Sequence, residues 1–537
     1  MRDFGFHNPQ PKGEPSRLTT RTRSPGWASA DTSPIIFGQI DGWYVMLLML
    51  TCGTLATDRM ADALSMDFRR SAVPGENAGV HSCPIVPIIR RMSLIRESRT
   101  TLALALPLMI GQLSQMLLGV ADTVMVGRLG VTELAALTFA NSLFHVPFVF
   151  GIGALTAVSV FTSNARGAAK PEDAVESCRN GLWLASVLGG LLFLLSLPVS
   201  RHLTVFGQPA EVAAATGTYF LILMASAIPA LASIALKNHA DALNRPWPPF
   251  WIFLAGVLLN IGLNWILIFG NWGCPALGLE GAAWATLVSR LAILAAMVFW
   301  LRRSAELAAW ISRSRWMSPS FTRMRSMLAV GLPASIQMLF EVSAFSLSGL
   351  FMGWIGATAM AAHQIAITLA ASAFMIPLGL SMALTVRVGE SWGAVDSRRC
   401  RTIITSGWML SGCCGLAAAS GFFLGGNWLA SWFTVDAEVI RLTSALLLIV
   451  GIFQIFDSLQ VASASMLRGM HDARVPAMIG FAAYWIISLP TGALLAFGLD
   501  HGAEGVWWGL ASGLFIACVA LGLRLWHRRP GATPNPS

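Results

Sequence analysis

The stretch LALALPLMIGQLSQMLLGVADTVMVGRLG runs from Leu102 to Gly130, and Asp122 is the one acidic residue in it. Its apolar part is longer than the roughly 20 residues that a helix needs to cross the hydrocarbon core of a bilayer. An isolated strand cannot satisfy its backbone hydrogen bonds in lipid, so the run predicts a transmembrane helix. The stretch thereby indicates the fold class, and it places a carboxylate inside a helix that is otherwise soluble in lipid.

The composition of the whole chain is typical of a membrane protein. Of its 537 residues, 55% are hydrophobic and 12% are charged, whereas soluble domains carry about a quarter charged residues. The net charge is +9, but basic loops set the topology of a membrane protein, so we expect no nucleic-acid partner. The eight cysteines include no CxxC pair and are expected to pack as small apolar residues rather than to bind metal.

The first 91 residues differ from the rest, because they are rich in Pro, Ser, Arg and Thr. Their apolar run GWYVMLLMLTCGTLA is short for a transmembrane span, and its long polar leader is unlike that of a signal peptide. We expect residues 1–91 to be a disordered, low-complexity extension or an artefact of start-site assignment.

From Leu102 onward, apolar runs that are long enough to span a bilayer follow one another. We expect twelve transmembrane helices, at 102–126, 135–160, 178–200, 213–236, 248–270, 279–301, 326–352, 358–386, 402–424, 440–466, 476–498 and 503–525. The connections after even-numbered spans carry clusters of Lys and Arg, whereas the others carry little beyond Arg128, Arg201 and Arg441. This asymmetry predicts that both termini are cytoplasmic, in a multi-pass protein of the cell (inner) membrane.

The spans form two repeated halves. LALPLMIGQLSQ around Pro107 resembles VGLPASIQMLFE around Pro333, and GLEGAAW from Gly278 resembles GAEGVWW from Gly502. Six spans separate the copies, so the halves have the same orientation and form a parallel repeat, as in transporters that alternate access by rocking. The predicted parts are an N-terminal lobe over 92–301, a cytoplasmic loop over 302–325, a C-terminal lobe over 326–526 and a cytoplasmic tail over 527–537.

Three carboxylates fall well inside the predicted spans, those of Asp122, Glu341 and Asp457. An ionised carboxylate in hydrocarbon costs several kcal/mol, so such a group is expected to face a bundle interior and to be functional. Burial disfavours its charged form and a bound cation favours it, which is the property needed to exchange an ion against another solute. Asp122 could instead reach interfacial water, and Asp457 could be a structural hydrogen-bonding group, whereas Glu341 has the least structural reason to be there.

Other polar residues inside the spans are few. Asn260 and Asn264 are four residues apart and share one helix face. Their carbonyl oxygens could complete a hard-cation site beside a carboxylate, or their amides could join helices by hydrogen bonds. Thr286 is a weaker candidate of the same kind. Of the main intramembrane basic residues, Arg290 and Arg387, the latter lies near a span end and is expected to extend toward water.

Several motifs together resemble one known family. VADTVMVGRLG, LFEVSAF, AAHQIA, IPLGLSMALTVRVGESWGA and FDSLQVASASMLRGMHDARVP occur in this order on the twelve spans. In combination they resemble the multidrug and toxic compound extrusion (MATE) family, in its NorM-like branch, from about Met92 to the C-terminal arginines. The resemblance implies a monomeric cation/drug antiporter that exports cationic or amphipathic compounds by alternating access. It implies Na⁺ or H⁺ as coupling ion, no other cofactor and no enzymatic activity.

The resemblance also implies roles for particular residues. Cation coupling would fall to Asp122, Glu341 and Asp457, with Na⁺ at Asp122 or at the other two acids. Polar groups of the fifth and sixth spans that complete the N-terminal cation site in the family match Asn260 and Asn264 and, more loosely, Thr286.

The alternative function is a flippase for lipid-linked precursors, which related transporters perform. Such proteins handle anionic pyrophosphate lipids and should carry intramembrane basic clusters, which this sequence lacks. An enzyme embedded in the membrane is disfavoured, because no nucleophile–base pair, HExxH motif or nucleotide-binding loop is present.

Overall fold

The computed structural model describes residues 85–311 and 319–528, and their side chains from Ser93 onward. Twelve of the described helices are long and apolar enough to cross a membrane. In chain order they are α1 Ile85–Gly127, α2 Val131–Gly167, α3 Pro171–Arg201, α4 Ala210–Ala242, α5 Trp247–Phe269, α6 Gly278–Arg303, α7 Phe321–Ile355, α8 Ala357–Gly393, α9 Ser397–Ser431, α10 Ala437–Gly469, α11 Arg474–Gly498 and α12 Gly502–Arg528.

The predicted all-α fold with twelve spans is confirmed. The number of spans is even, so Ser93 and Arg528 lie on the same side of the membrane; that this side is cytoplasmic stays a prediction from the charges. Residues 1–84 of the predicted extension lie outside the described part of the chain, while residues 85–91 belong to α1.

Two of the membrane-spanning helices, α4 and α11, depart from regular α-helical geometry near buried polar side chains. α4 is interrupted at Ser226, which joins its segments Ala210–Ala225 and Ala227–Ala242. α11 contains two π-helical segments, Ala482–Ser488 and Leu494–Gly498. They flank Pro490, which lacks an N–H for the regular helical ladder. π-helical turns are frequent at functional sites, and the first of these segments carries the buried Tyr484.

Each half of the chain packs its own apolar core. Buried side chains of α1, α2, α4, α5 and α6 form one cluster, around Phe144, Tyr219 and Ile268. Those of α7 to α12 form another, around Phe453, Tyr484 and Trp507. Two further clusters contain residues of both halves, so the halves are joined by apolar packing as well.

Glycines allow the halves to approach backbone to backbone. A Cβ atom on Gly153 of α2 would lie 2.5 Å from the Ser335 Cα of α7, and one on Gly379 of α8 would lie 2.6 Å from the Met109 Cα of α1. Between α2 and α7, the Ser335 hydroxyl also donates to the Phe150 carbonyl at 2.6 Å. Gly153 and Gly379 lie nearer the ends of α2 and α8 than their starts, and Ser335 lies nearer the start of α7. We call the contact between the two halves, made by α2 with α7 and by α1 with α8, the joint. The membrane side on which α2 and α8 end is the joint side, and by the predicted topology it is cytoplasmic.

We predict that Gly331→Ala destabilises the protein, because the new Cβ would collide with the Ala154 carbonyl across the joint. Overpacking of this kind costs about 1–3 kcal/mol and should lower the Tm of the detergent-purified protein by several degrees. Gly353→Ala is the matched control on α7, since no atom lies within 4 Å of its Cβ position. Equal Tm values for the two variants would contradict the tight joint.

Candidate functional site

The N-terminal half brings four predicted site residues together. Asn264 of α5 donates to the Asp122 carboxylate of α1, with an Nδ2–Oδ1 distance of 2.6 Å. The same Nδ2 lies 3.1 Å from Asn260 Oδ1, and Asn260 Nδ2 lies 3.3 Å from the Thr286 hydroxyl of α6. Rotation of the Asn260 amide places its Nδ2 3.1 Å from the same Asp122 oxygen, so both asparagines can donate to this carboxylate.

The donor set of this N-terminal site fits a hard cation. Asn264 Oδ1 is buried and has no hydrogen-bond partner among the described residues. An unpaired buried carbonyl costs free energy, and together with the Asp122 carboxylate and the Thr286 hydroxyl it offers oxygen atoms, the ligands that hard cations prefer. The described residues contain no group of three or more His, Cys, Asp or Glu side chains that could hold a metal ion. The oxygen atoms of Asp122, Asn264 and Thr286 are thus of the type that a hard cation prefers, and the Asp122 carboxylate can also accept a proton.

A second layer of side chains surrounds the Asp122 carboxylate. Arg290 of α6 interacts electrostatically with Asp122 and with Tyr219 of α4. Its guanidinium donates to the Ser226 hydroxyl at 2.7 Å, at the interruption of α4, and lies 5.1 Å from the ring centroid of Phe144. The sequence showed Arg290 only as a charge inside a span, and it gave no signal for Tyr219.

The C-terminal half brings the other two predicted acids together. Glu341 of α7 and Asp457 of α10 lie close enough for their carboxylates to repel each other. Asp457 is 4% exposed, and its Oδ1 has no hydrogen-bond partner among the described residues. Two neighbouring carboxylates in a low-dielectric site disfavour each other's ionisation, and a bound proton or cation relieves this repulsion. The pair therefore also suits the binding of one positive charge.

Two further groups face the acid pair. Arg468 of α10 interacts electrostatically with Glu341, and its Nη2 donates to the Ser465 hydroxyl at 2.7 Å. Tyr484, in the π-helical part of α11, lies near both acids, and its buried hydroxyl forms no hydrogen bond with the described residues. Sequence reasoning placed Arg468 in a basic connection and missed this role, because proximity to a helix end was the only available signal.

The prediction that Arg387 extends toward water is wrong. Arg387 is 2% exposed, and its guanidinium forms an ion pair with Glu97 of α1. The reason is that the end of α8 packs against α1 at the joint, so water does not reach the side chain. Glu97 was not among the predicted site residues, because it precedes the first predicted span.

Comparisons with known proteins agree with this fold. A model of the MatE family matches the chain twice, over residues 107–266 and 333–494. The chain is 36% identical over 437 residues to the probable multidrug resistance protein NorM of Agrobacterium fabrum, covering 79% of this chain and 93% of that protein. It is 35% identical over 453 residues to the protein of the same name from Rhizobium meliloti, covering 82% and 96%.

Solved structures share the architecture. The eukaryotic MATE transporter AtDTX14 superimposes with a TM-score of 0.72 at 24% identity, covering 80% of this chain and 96% of that one. The outward-facing conformation of a multidrug resistance MATE family transporter superimposes with a TM-score of 0.74 at 21% identity, covering 81% and 96%. The double match to the family model, the identity along most of the chain and the twelve spans lead to one conclusion: this multi-pass membrane protein belongs to the MatE family.

Proposed function

We propose that this protein is a secondary active multidrug efflux transporter, which exports cationic or amphipathic toxic compounds in exchange for Na⁺ or H⁺. The observation that carries the proposal is the intramembrane Asp122 carboxylate, held by Asn264 beside an unpaired buried carbonyl oxygen. The relatives named as probable multidrug resistance proteins support drugs as the cargo, and membership of a transporter family argues against an enzyme.

The coupling follows from electrostatics. An ion that neutralises Asp122, or the pair of Glu341 and Asp457, lowers the free-energy cost of a buried carboxylate. A monovalent ion that enters the cell gains about 2.3 kcal/mol per 100 mV of membrane potential. Antiport then requires that ion and cargo prefer different states of the protein, or compete for one site. Cargo with a positive charge meets the second condition, because it can take the place of the ion near the carboxylates.

The arrangement of the intramembrane arginines disfavours the flippase alternative. A site for anionic pyrophosphate lipids needs an excess of positive charge. Arg290 instead faces Asp122, and Arg468 faces Glu341, so each arginine is balanced by an acid. In the C-terminal half the carboxylates of Glu341 and Asp457 outnumber the Arg468 guanidinium, so this site suits a cation better than an anion. In the N-terminal half Asp122 offsets Arg290 and leaves no excess of positive charge.

We predict that Asp122→Asn abolishes export of a cationic dye by a drug-sensitive host, because the amide removes the negative charge but keeps the size of the side chain. Glu341→Gln should do the same. Thr123→Ala is the control, since this exposed neighbour donates to the Gly119 carbonyl of its own helix. The measurement is dye efflux from energised cells at equal protein levels. Export at the parent rate by both acid variants would contradict the carboxylate mechanism.

We predict that Asn264→Ala raises the cation concentration needed for half-maximal dye efflux by about tenfold, as expected for one lost charge-assisted hydrogen bond. Asn271→Ala is the control, a half-buried asparagine just after α5 that donates to the Trp265 carbonyl. Titrations of Na⁺ at fixed pH and of pH without Na⁺ identify which ion shows the shift. If neither titration differs between the two variants, Asn264 is not part of the ion site.

A further inference from the structure

A cluster of charged side chains crosses the joint between the two halves. Glu97 of α1 forms an ion pair with Arg387 of α8. Its other carboxylate oxygen, Oε1, lies 3.5 Å from the Arg399 Nε of α9. One acid of the first half is thereby held by two arginines of the second half.

A second acid makes the reciprocal connection. Glu390 of α8 lies 3.9 Å from the Arg166 guanidinium at the end of α2 and accepts from Asn244, which follows α4, at 3.4 Å. Arg399 also donates to Glu390, at 3.3 Å, and so links the two acids. We call the set Glu97, Arg387, Glu390, Arg399 and Arg166 the charged latch.

The backbone packs tightly beside the charged latch. Asn164 of α2 donates to the Gly469 carbonyl of α10 at 3.1 Å. The Gly393 Cα faces the carbonyl of Asn164 so closely that no Cβ would fit, and the same holds for Gly389 against the Ser163 hydroxyl. The charges thus lie beside close backbone contacts between α2, α8 and α10.

Burial distinguishes the pair of Glu97 and Arg387 from ordinary surface ion pairs. The side chains of Arg387, Glu97 and Glu390 are 3%, 17% and 14% exposed. The ion pair of Arg245 with Glu306, by contrast, has side chains that are 49% and 65% exposed, a setting in which ion pairs contribute little. Removing one partner of a buried pair leaves the other charge uncompensated and is strongly unfavourable.

The chemistry suits a contact that opens and closes. Opening an apolar contact costs free energy in proportion to the apolar area that becomes exposed to water. Charged groups regain their hydration when they separate, and this offsets most of the lost attraction. A latch of ion pairs can therefore hold the closed state and still release it on the timescale of transport.

We propose that Glu97, Arg387 and Glu390 are gate residues, whose ion pairs hold the halves together on the joint side and break each time the transporter opens there. This inference rests on the proposed function in one respect, since it assumes alternating access. It assigns these residues to the conformational step, whereas ion binding belongs to Asp122 and to the pair of Glu341 and Asp457.

The test measures access of a reagent to the closed joint. Ser163→Cys places a thiol under Gly389, where the native residue is fully buried. Its modification by a membrane-impermeant maleimide is followed in inside-out vesicles and in intact cells, and labelling of the native cysteines is subtracted with matched variants that keep Ser163. No cargo or ion is needed, so the result does not depend on whether the protein exports drugs.

We predict that Glu97→Gln and Arg387→Gln each raise the labelling rate from the joint side by about fivefold or more, the lower end of the usual range of coupling between sites. The charge exchange of Glu97→Arg with Arg387→Glu should restore slow labelling. Arg303→Gln is the control, because this exposed arginine at the end of α6 lies over the Phe299 ring of its own helix. Where a single variant of the central pair does not fold, Glu390→Gln and Arg399→Gln test the same latch at its more peripheral positions.

Labelling at the parent rate in Glu97→Gln, Arg387→Gln and Glu390→Gln would overturn the latch, and so would an increase of the same size in the Arg303→Gln control. If labelling accelerates while dye export is absent from the parent protein, the latch stands and the proposed function fails. If export is robust and labelling is unchanged, the function stands and the latch fails.

Discussion

The free-energy cost of a charged or unpaired polar group in hydrocarbon organises this protein. The same cost forces the backbone into twelve helices, because a helix satisfies its hydrogen bonds within one segment. It also pairs charges that are buried between the helices. Lys237 bonds Asp241 at 2.8 Å within α4, and Arg387 bonds Glu97 across the joint. Against this background, a carboxylate oxygen without a partner, such as Asp457 Oδ1, marks a place where a positive charge is expected to bind.

The repeat shows that one fold supports two kinds of chemistry. ALKNHADA in α4 and MLRGMHDA at the end of α10 carry a basic residue four positions before an aspartate. Lys237 pairs with its own Asp241, whereas Asp472 accepts from Arg524 of α12 at 2.9 Å. Arg468 faces Glu341 instead. The equivalent basic residue thus pairs within its own helix in the N-terminal half, whereas in the C-terminal half it lies beside Glu341 of the acid pair.

The sequence predicts features that depend on a single helix, such as the spans and the acids inside them. It does not predict which side chains of different helices contact each other. Hydrophobic length located all twelve spans, and charge in hydrocarbon located Asp122, Glu341 and Asp457, because both signals are local. The four-residue spacing of Asn260 and Asn264 predicted a shared face, and the structure adds that this face meets Asp122. Arg387 was assigned to water because its distance from a helix end says nothing about the helix packed against it. The neighbours of Tyr219 and Arg468 are set by tertiary packing in the same way.

The central claim is that cargo and coupling ion act on the same intramembrane carboxylates. It is tested most directly by the affinity of the purified protein for a fluorescent cationic dye, measured while Na⁺ and H⁺ concentrations are varied separately. The account predicts that one of the two ions weakens dye binding in the parent protein. In the double variant of Asp122→Asn and Glu341→Gln, the dye affinity should no longer respond to that ion. Dye affinity that ignores both ions in the parent, or that responds equally in the double variant, would contradict the account.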